Sequence, residues 1–420
     1  MTTSRLLLWI LAALLLQVSL GVAVALWRRR TAPADARQPD EAPVPTLTPT
    51  TAAWPGTRAF RVAARQFEDA SNSQCSFLLE PADGRPLPEF KPGQFLTFML
   101  AVPDAALPGG VRPVTRCYSL SDGPTPTSYR VTIKRVPPPP DRPSLPPGVA
   151  SNHFHDRVHP GDVLEVKAPG GHFHIDPDPS APVALVAGGI GITPMMSMLR
   201  WCLSTQPGRP VHLFYGLRNG GEHAFKADLE ALAAANPAFR LHVVYSRPDP
   251  DDRQPDDYQH LGRIDLALLQ RSLPHGRHQF YICGPGPMME TLVPALAAWG
   301  VPDADIHFEA FGPASVRNAA PAAAGTSATP ETVPSVPLDV AFTRSGRTLA
   351  WDGQDASLLD FAERNGVALE SGCRSGGCGT CETRMVSGTV RYDSPPDHDV
   401  KRGHCLPCVA RPTSALVLEA

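Results

Sequence analysis

The sequence has no large excess of charge, since 38 lysine and arginine residues nearly balance 41 aspartate and glutamate residues and leave a net charge of −3. Aromatic residues make up only 7% of the chain and do not alternate with basic ones. Nucleic-acid-binding proteins usually carry a basic face with stacking rings, so these absences argue against nucleic acid as a partner. No internal repeat is visible, which argues against a repeat architecture.

Cysteine is sparse and unevenly placed: the chain has nine, and four of them, Cys75, Cys117, Cys202 and Cys283, stand alone. This usage is typical of a reducing compartment, where thiols stay available to hold metal. The chain is rich in proline and glycine, with 48 and 34 residues, yet 42% of it is hydrophobic. We therefore expect several folded domains joined by linkers rather than a disordered chain.

An uncharged apolar run extends from Leu6 to Leu26 and is followed by a tryptophan and three arginines, Trp27 to Arg30. Its length matches a bilayer core, and the positive flank predicts a single-pass signal anchor over residues 1–30 in the inner membrane, with the rest facing the cytoplasm. A cleaved signal peptide with a site at Ala34–Ala36 is the alternative, but the run is long and its charge follows it. Residues 31–55, rich in proline, alanine and threonine, are predicted to be a linker.

A glycine-rich loop near the C-terminus contains Cys373, Cys378 and Cys381, with four and then two residues between them. This spacing is typical of a plant-type [2Fe–2S] cluster, and glycines let the loop wrap the inorganic core. A zinc site or a disulfide cluster is the alternative, but zinc sites usually have two C-x₂-C knuckles. The fourth ligand would be Cys405 or Cys408. Because Cys405 lies three residues before Cys408, the two side chains would point in different directions in any one local conformation.

Residues 337–420 resemble a plant-type ferredoxin domain, which implies an α+β fold of the β-grasp type. In that family the fourth ligand precedes the last strand, and the segment LPCVARP puts Cys408 in this position. The resemblance therefore implies four metal ligands: Cys373, Cys378, Cys381 and Cys408.

Residues 56–178 contain short β-rich runs separated by turn residues, which predict a small antiparallel barrel. The segments KPGQF, RCYSLS, VTIKR and GVASN occur in it in that order. Together they resemble the flavin-binding barrel of the ferredoxin:NADP⁺ reductase superfamily. The resemblance implies that Tyr118 packs on the flavin, that Ser119 hydrogen-bonds near flavin N5, and that Arg116 neutralises the phosphates. Tyr118 and Ser119 are thus the implied catalytic residues. The implied cofactor-binding residues of the barrel are Phe95, Arg116, Tyr118, Ser119, Lys134, Gly148, Val149, Ala150 and Ser151.

Residues 179–313 change to apolar strand-like runs that alternate with helical stretches, which predicts a doubly wound α/β domain. The segment AGGIGITPMM lies where a strand passes into a helix, where glycines and a helix N-terminus favour a dinucleotide pyrophosphate. It is not the G-x-G-x-x-G motif, but it resembles the glycine and Thr-Pro element of the same superfamily. The residues implied here are Gly188, Gly189, Gly191, Thr193 and Pro194.

A second segment of this domain, YICGPGPMM, resembles the superfamily element that lies beside the nicotinamide. It implies a catalytic role for Cys283 and nucleotide contacts for Gly284 and Pro285. A lone cysteine is more often a buried structural residue, and this alternative stays open. The segment FEAFGP resembles the one that closes the flavin site in the superfamily, which implies that Phe311 stacks on the flavin and favours FAD over FMN. Arg218 could meet a 2′-phosphate, but the lack of a basic cluster favours NADH.

Residues 314–336 are predicted to be a second linker, so the order of domains is flavin barrel, nucleotide domain and ferredoxin. This order resembles the single-chain reductases of oxygenases, desaturases and hybrid-cluster proteins. It implies an enzyme that passes electrons from NAD(P)H to FAD, then to the [2Fe–2S] cluster and finally to a partner protein. Because the predicted anchor would hold the enzyme at the membrane, we expect this partner to be membrane-bound. The alternatives are a diaphorase or quinone reductase with a small-molecule acceptor, and a non-enzymatic redox sensor.

Overall fold

The computed structural model describes residues 53–54, 56–105, 107, 109–138, 143–144, 146–311, 337–372, 374, 376–393, 396, 398 and 400–420. The predicted membrane anchor, almost all of the first linker and the second linker lie outside these residues. In the described ranges, no helix is both long and apolar enough to cross a membrane. Residues 51–420 form one compact unit.

The first domain is a curled, six-stranded antiparallel sheet, in which the strands lie in the order β4-β3-β6-β1-β2-β5. Its elements are β1 (Thr57–Phe67), β2 (Gln74–Pro81), β3 (Phe95–Pro103), β4 (Val111–Ser119), β5 (Tyr129–Lys134), α1 (Val149–Arg157) and β6 (Val163–Gly170). A bridge between Leu120 and Val131 joins the chain just after β4 to β5, so the two edge strands approach each other. The sheet surrounds a core in which Phe154 of α1 contacts Phe77 and Phe98 edge-on, with ring centroids 5.2 Å apart in both pairs.

The second domain is a parallel sheet of six strands in the order β10-β9-β8-β7-β11-β12. Its elements are β7 (Val183–Gly188), α2 (Ile192–Thr205), β8 (Val211–Leu217), α3 (Lys226–Ala235), β9 (Phe239–Tyr245), β10 (His260–Leu261), α4 (Leu266–Ser272), β11 (Gln279–Gly284), α5 (Gly286–Trp299) and β12 (Ile306–Ala310). Every residue of β7 and β11 is buried, because helices cover both faces of the sheet. The strand order reverses between β7 and β11, and parallel sheets bind ligands at such a switch point.

The third domain has a five-stranded mixed sheet in the order β14-β13-β19-β15-β17 and a separate β16-β18 pair. Its elements are β13 (Leu338–Phe342), β14 (Arg347–Trp351), α6 (Leu358–Arg364), β15 (Thr383–Ser387), β16 (Val390–Tyr392), β17 (His404–Cys405), β18 (Ala410–Pro412) and β19 (Leu416–Leu418). The Ser357 side chain accepts a hydrogen bond from the Asp360 N–H and thereby caps the start of α6. Helix α6 packs Phe361 against Trp351 and so closes the core on the sheet.

Candidate functional site

A cavity of about 710 Å³ is lined by residues from all three domains. Its volume and mostly apolar walls are in the range of cofactor sites. Many residues implied by the sequence motifs line it together, although their contacts with a cofactor remain predictions. These residues are Phe95, Arg116, Tyr118, Ser119, Lys134, Gly148, Val149, Ala150, Ser151, Thr193 and Phe311.

Tyr118 lies near the end of β4, directly opposite Leu96 of the neighbouring strand β3. Its ring meets Phe154 edge-on at a centroid distance of 5.3 Å and is tilted against Phe98 at 5.9 Å. Burial raises the pKa of the Tyr118 phenol well above its usual range, so the hydroxyl stays protonated at neutral pH. The two phenylalanines thus hold a neutral aromatic side chain in one orientation in the cavity wall, as packing on a flavin ring would require.

Helix α1 begins directly after Gly148 beside this cavity, and the hydroxyl of Ser151 donates a hydrogen bond of 3.2 Å to the Gly148 carbonyl. A Cβ at Gly148 would lie 2.8 Å from both the Ser151 hydroxyl and Val136, so a larger residue does not fit here. The first N–H groups of a helix favour a bound phosphate. Arg116 lines the same cavity, and its guanidinium donates to the Thr115 carbonyl at 2.7 Å. The site therefore suits the pyrophosphate of FAD.

The two glycine elements of the nucleotide domain meet at the switch point of its sheet. A Cβ at Gly191 would lie 2.1 Å from the carbonyl oxygen of Cys283, and a Cβ at Gly284 would lie 3.0 Å from the Cα of Gly188. A Cβ at Gly188 would in turn lie 2.6 Å from the Pro285 ring. Only glycines permit this close approach, and it leaves a smooth backbone cradle that fits a dinucleotide.

The remaining predicted residues of the first glycine element lie around the start of helix α2. Gly189 has a positive φ of 55° and opens a short 3-10 turn that ends at Gly191. The hydroxyl of Thr193 donates a hydrogen bond of 3.0 Å to the Ile190 carbonyl, and Pro194 is buried in the first turn of α2. The turn thus delivers the helix N-terminus to the edge of the cavity.

Cys283 does not line the cavity, although its motif predicted a catalytic role. Its side chain is 0% exposed and packs in the core of the nucleotide domain. Burial raises the pKa of its thiol well above the usual range, so the side chain stays a neutral thiol. Its catalytic role remains a prediction, and the position found here is that of a buried structural cysteine.

Glu309 lines the cavity and pairs with Cys283 in the register of β12 and β11, yet the motif analysis did not assign it a role. It was recognisable as the one charged residue of the FEAFGP segment, two positions before Phe311. The wall of the cavity therefore contains a carboxylate.

Two of the predicted cluster ligands, Cys381 and Cys408, lie close together, whereas Cys373 lies outside the described residues. The sulfur atoms of Cys381 and Cys408 are 3.1 Å apart, which is well beyond the ~2.05 Å of a disulfide bond. Both side chains are buried beside Leu359 and Leu406. The sulfur of Cys378 lies 3.3 Å from the Thr380 hydroxyl in the same loop.

Cys405, the rival for the fourth ligand position, packs instead in the main core of the third domain with residues such as Val340 and Trp351. Burial raises the pKa of its thiol to about 12. The glycines of the loop are tightly enclosed, because a Cβ at Gly372 would lie 2.8 Å from the Cys378 sulfur. The thiol donor set and the compact backbone fit a [2Fe–2S] cluster.

The cluster loop also forms part of the wall of the flavin cavity. Gly372 and Arg374, the neighbours of Cys373 in sequence, both line it together with Tyr118 and Lys134. Arg374 has a positive φ of 59°, which is uncommon for a residue other than glycine. Both of its terminal nitrogens bind the Glu363 carboxylate on helix α6. The pair thereby fixes the loop to helix α6 of its own domain.

Comparisons with known proteins agree with this division of the chain. Residues 185–293 match the family model of the oxidoreductase NAD-binding domain, and residues 341–413 match that of the 2Fe-2S iron-sulfur cluster binding domain. Flavohemoproteins of Halalkalibacterium halodurans and Rhizobium meliloti are 39% and 38% identical to the chain over 262 and 260 residues, which is 62% of the chain in both cases. The chain spans only 61% and 62% of the length of these two relatives.

Two solved structures extend the comparison. The flavohem-like FAD/NAD-binding domain of a nitric oxide dioxygenase from Vibrio cholerae is 33% identical, with a TM-score of 0.53, over 61% of this chain and 99% of that one. Phthalate dioxygenase reductase is 29% identical, with a TM-score of 0.51, over 87% of this chain and 98% of that one. The expected cofactors FAD, NAD(P)H and [2Fe–2S] are confirmed. These matches cover the flavin and nucleotide domains as well as the C-terminal domain. The chain therefore belongs to the ferredoxin:NADP⁺ reductase superfamily and is a flavin-dependent NAD(P)H oxidoreductase with a C-terminal [2Fe–2S] ferredoxin domain.

Proposed function

We propose that this reductase delivers single electrons from its ferredoxin domain to a separate protein acceptor, an oxygenase or desaturase or a similar redox protein. The observation that carries the proposal is that Gly372 and Arg374 of the cluster loop line the same cavity as the flavin-motif residue Tyr118. Bound FAD links the two-electron chemistry of a nicotinamide to the one-electron chemistry of an iron–sulfur cluster. Electrons can therefore pass directly from FAD to the cluster only if the two groups lie close together, and the cluster loop in the cavity wall provides this proximity.

The residues of the chain divide this task between the domains. The glycine cradle around Gly191 and Gly284 would hold the nucleotide, and the start of α1 at Gly148 would hold the flavin pyrophosphate. The apolar walls contributed by Phe95 and Phe311 would keep water from the reacting rings. The cluster loop would then be the place from which electrons leave the protein. It belongs to the third domain, and of its described residues only Gly372 and Arg374 line the cavity.

The similarity to phthalate dioxygenase reductase supports an oxygenase as the acceptor. That protein is described as a modular structure for electron transfer from pyridine nucleotides to [2Fe–2S], and the similarity covers 98% of its chain. The flavohemoproteins support only the reductase portion, because the chain spans about three fifths of their length, 61% for the first of them.

We further propose that the apolar run from Leu6 to Leu26 anchors the reductase in the cytoplasmic membrane. Its support is the sequence alone: the run is long enough to span a bilayer and is followed directly by three arginines. An anchor there would confine electron delivery to the membrane surface and so favours an acceptor that is itself bound to the membrane.

Anaerobic titration of the purified protein with NADH tests the electron path. We expect the absorbance of both the flavin and the cluster to bleach, with a reduced-cluster signal in electron paramagnetic resonance. A cluster that stays oxidised while the flavin is fully reduced would contradict the proposal. Co-purification from membranes then identifies the acceptor, and loss of membrane association on deletion of residues 1–30 tests the anchor.

A further inference from the structure

The carboxylate of Glu222 connects the nucleotide domain with the flavin cavity. Glu222 ends a short 3-10 turn, Gly220–Glu222, that follows the carboxyl end of strand β8. One of its oxygens lies 3.1 Å from the ammonium nitrogen of Lys134, which lines the cavity, and the other pairs with the guanidinium of Arg218. The Glu222 side chain is only 15% exposed, whereas that of Arg218 is 56% exposed.

The backbone around Glu222 is fixed to the flavin domain as well. The Glu222 carbonyl accepts a hydrogen bond of 2.9 Å from the Gln74 side chain, and the Gly221 carbonyl accepts one of 2.9 Å from the Ser71 N–H. The carboxylate is thus held from two sides, by its own backbone and by Lys134. It can release Arg218 only if it gives up a half-buried ion pair.

The position of Arg218 is the one that reads the ribose of a dinucleotide in folds of this kind. Strand β8 is the neighbour of β7, which carries the glycine cradle, and Arg218 directly follows β8 at the carboxyl edge of the sheet. An acidic residue at this edge accepts from the ribose 2′-hydroxyl of NADH, whereas an arginine there binds the 2′-phosphate of NADPH.

We propose that Glu222 is a specificity-determining residue that makes the reductase select NADH over NADPH. Its carboxylate forms an ion pair with Arg218, which weakens the positive potential that the guanidinium presents to a phosphate. A 2′-phosphate would also approach a carboxylate that Lys134 holds in place, and like charges at this distance repel. The inference rests on the proposed function, because it assumes that a nicotinamide nucleotide reduces the flavin.

Equilibrium binding of two adenosine probes tests this without any redox chemistry. Isothermal titration of the purified full-length protein with 5′-AMP and with adenosine 2′,5′-bisphosphate compares ligands that differ only in the 2′-phosphate. In the wild-type protein we expect the bisphosphate to bind no more tightly than 5′-AMP. In Glu222→Gln the bisphosphate should gain about tenfold or more in affinity, since a hydrogen bond to a charged group contributes on that scale.

Two further variants assign the effect to charge and to Arg218. Glu222→Asp keeps the negative charge and should keep the wild-type discrimination. Adding Arg218→Gln to Glu222→Gln should remove the gain for the bisphosphate. Glu230→Gln is the matched control, because Glu230 is a more exposed carboxylate of the same domain, 4.0 Å from Lys226. It should leave both affinities unchanged.

Steady-state rates with NADH and NADPH complete the test. The ratio of their kcat/KM values should favour NADH in the wild-type protein and shift toward NADPH by about tenfold in Glu222→Gln. A wild-type preference for NADPH, an unchanged ratio in Glu222→Gln, or a gain that persists without Arg218 would each overturn the inference. If neither nucleotide reduces the wild-type flavin while the adenosine probes behave as expected, the proposed function fails, whereas the effect of Glu222 on the 2′-phosphate is still established by binding alone.

Discussion

The sulfur atoms of Cys381 and Cys408 lie 3.1 Å apart, although 27 positions separate the two residues in the chain. Cys381 belongs to the glycine-rich loop, whereas Cys408 comes from the segment between β17 and β18. Tertiary packing therefore brings a distant thiol to the loop, as the prediction of Cys408 as the fourth cluster ligand requires.

Cys408→Ser should abolish the cluster, whereas Cys405→Ser should retain it. The reason is that Cys408 meets Cys381, while Cys405 is enclosed by the main core of the ferredoxin domain. Iron and acid-labile sulfide analysis of the two purified variants decides the matter. Cys405→Ser should still lose roughly 1–3 kcal/mol of stability, because a hydroxyl replaces a buried thiol in an apolar site. The opposite pattern of iron content would reverse the assignment.

Gly191→Ala should weaken nucleotide binding by about tenfold or more and destabilise the nucleotide domain by roughly 1–3 kcal/mol. The added methyl group would lie 2.1 Å from the Cys283 carbonyl oxygen, so the two loops must move apart. Gly208→Ala is the matched control, since no atom lies within 4 Å of its Cβ position. Titration with 5′-AMP and urea unfolding measure the two effects. Equal behaviour of the two variants would show that the close approach of the loops is not needed.

Arg374→Met should slow the flavin-to-cluster step severalfold and leave reduction of the flavin by NADH nearly unchanged. Loss of the pair with Glu363 would loosen the cluster loop from helix α6, and any movement of the loop away from the cavity slows electron transfer, which weakens steeply with distance. Anaerobic stopped-flow absorbance resolves the two steps. Arg391→Met, which removes an exposed pair with Asp393 in the same domain, should change neither rate. A slowed hydride step in Arg374→Met would instead assign Arg374 to nucleotide or flavin binding.

The protein should lose stability as the pH falls from about 6.5 toward about 4, partly because of buried neutral histidines. Burial lowers the pKa of His223 to about 4 in the folded state, against about 6.5 in an unfolded chain. The unfolded chain therefore binds more protons in this window, and acidification favours it. Each such histidine should cost about 1.4 kcal/mol between about pH 7.5 and about pH 5.5.

Urea unfolding of His223→Asn at both pH values checks this contribution. The variant should be less stable at the higher pH, because it disturbs the 2.8 Å hydrogen bond between His223 and Tyr245. It should nevertheless lose about 1.4 kcal/mol less than the wild-type protein on acidification. The exposed His159→Asn variant serves as the control and should keep the wild-type pH dependence. An unaltered pH dependence in His223→Asn would mean that the pKa of His223 is the same in the folded and unfolded chains.

Several features of the site were readable from the sequence because they depend on neighbours in the chain. The segment around Tyr118 sits at the end of one strand, and the segment from Gly188 to Pro194 passes directly from a strand into a helix. Local backbone geometry fixes both, so short motifs are enough to locate them. The change from short β-rich runs to strands alternating with helices likewise predicted the antiparallel sheet and the parallel sheet in their observed order.

Other features were not assigned by motif analysis because they depend on contacts between residues far apart in the chain. Glu309 enters the cavity only because β12 pairs with β11, and Cys283 is removed from it by the packing of the same strands. The link from Lys134 through Glu222 to Arg218 joins residues of two domains, and no local pattern specifies it.

The sequence by itself determined the kind of chemistry: cysteine spacing, glycine elements and the R-x-Y-S segment define a cluster loop, a nucleotide cradle and a flavin wall through short-range geometry. Only the tertiary structure decided how these parts meet. It placed Cys408 beside Cys381 and Cys405 in the main core of the third domain, set Arg374 in the cavity wall and placed Glu222 between two cations. The physical reason is that each of these choices depends on side-chain packing and charge pairing between residues far apart in the chain, which local propensities do not encode.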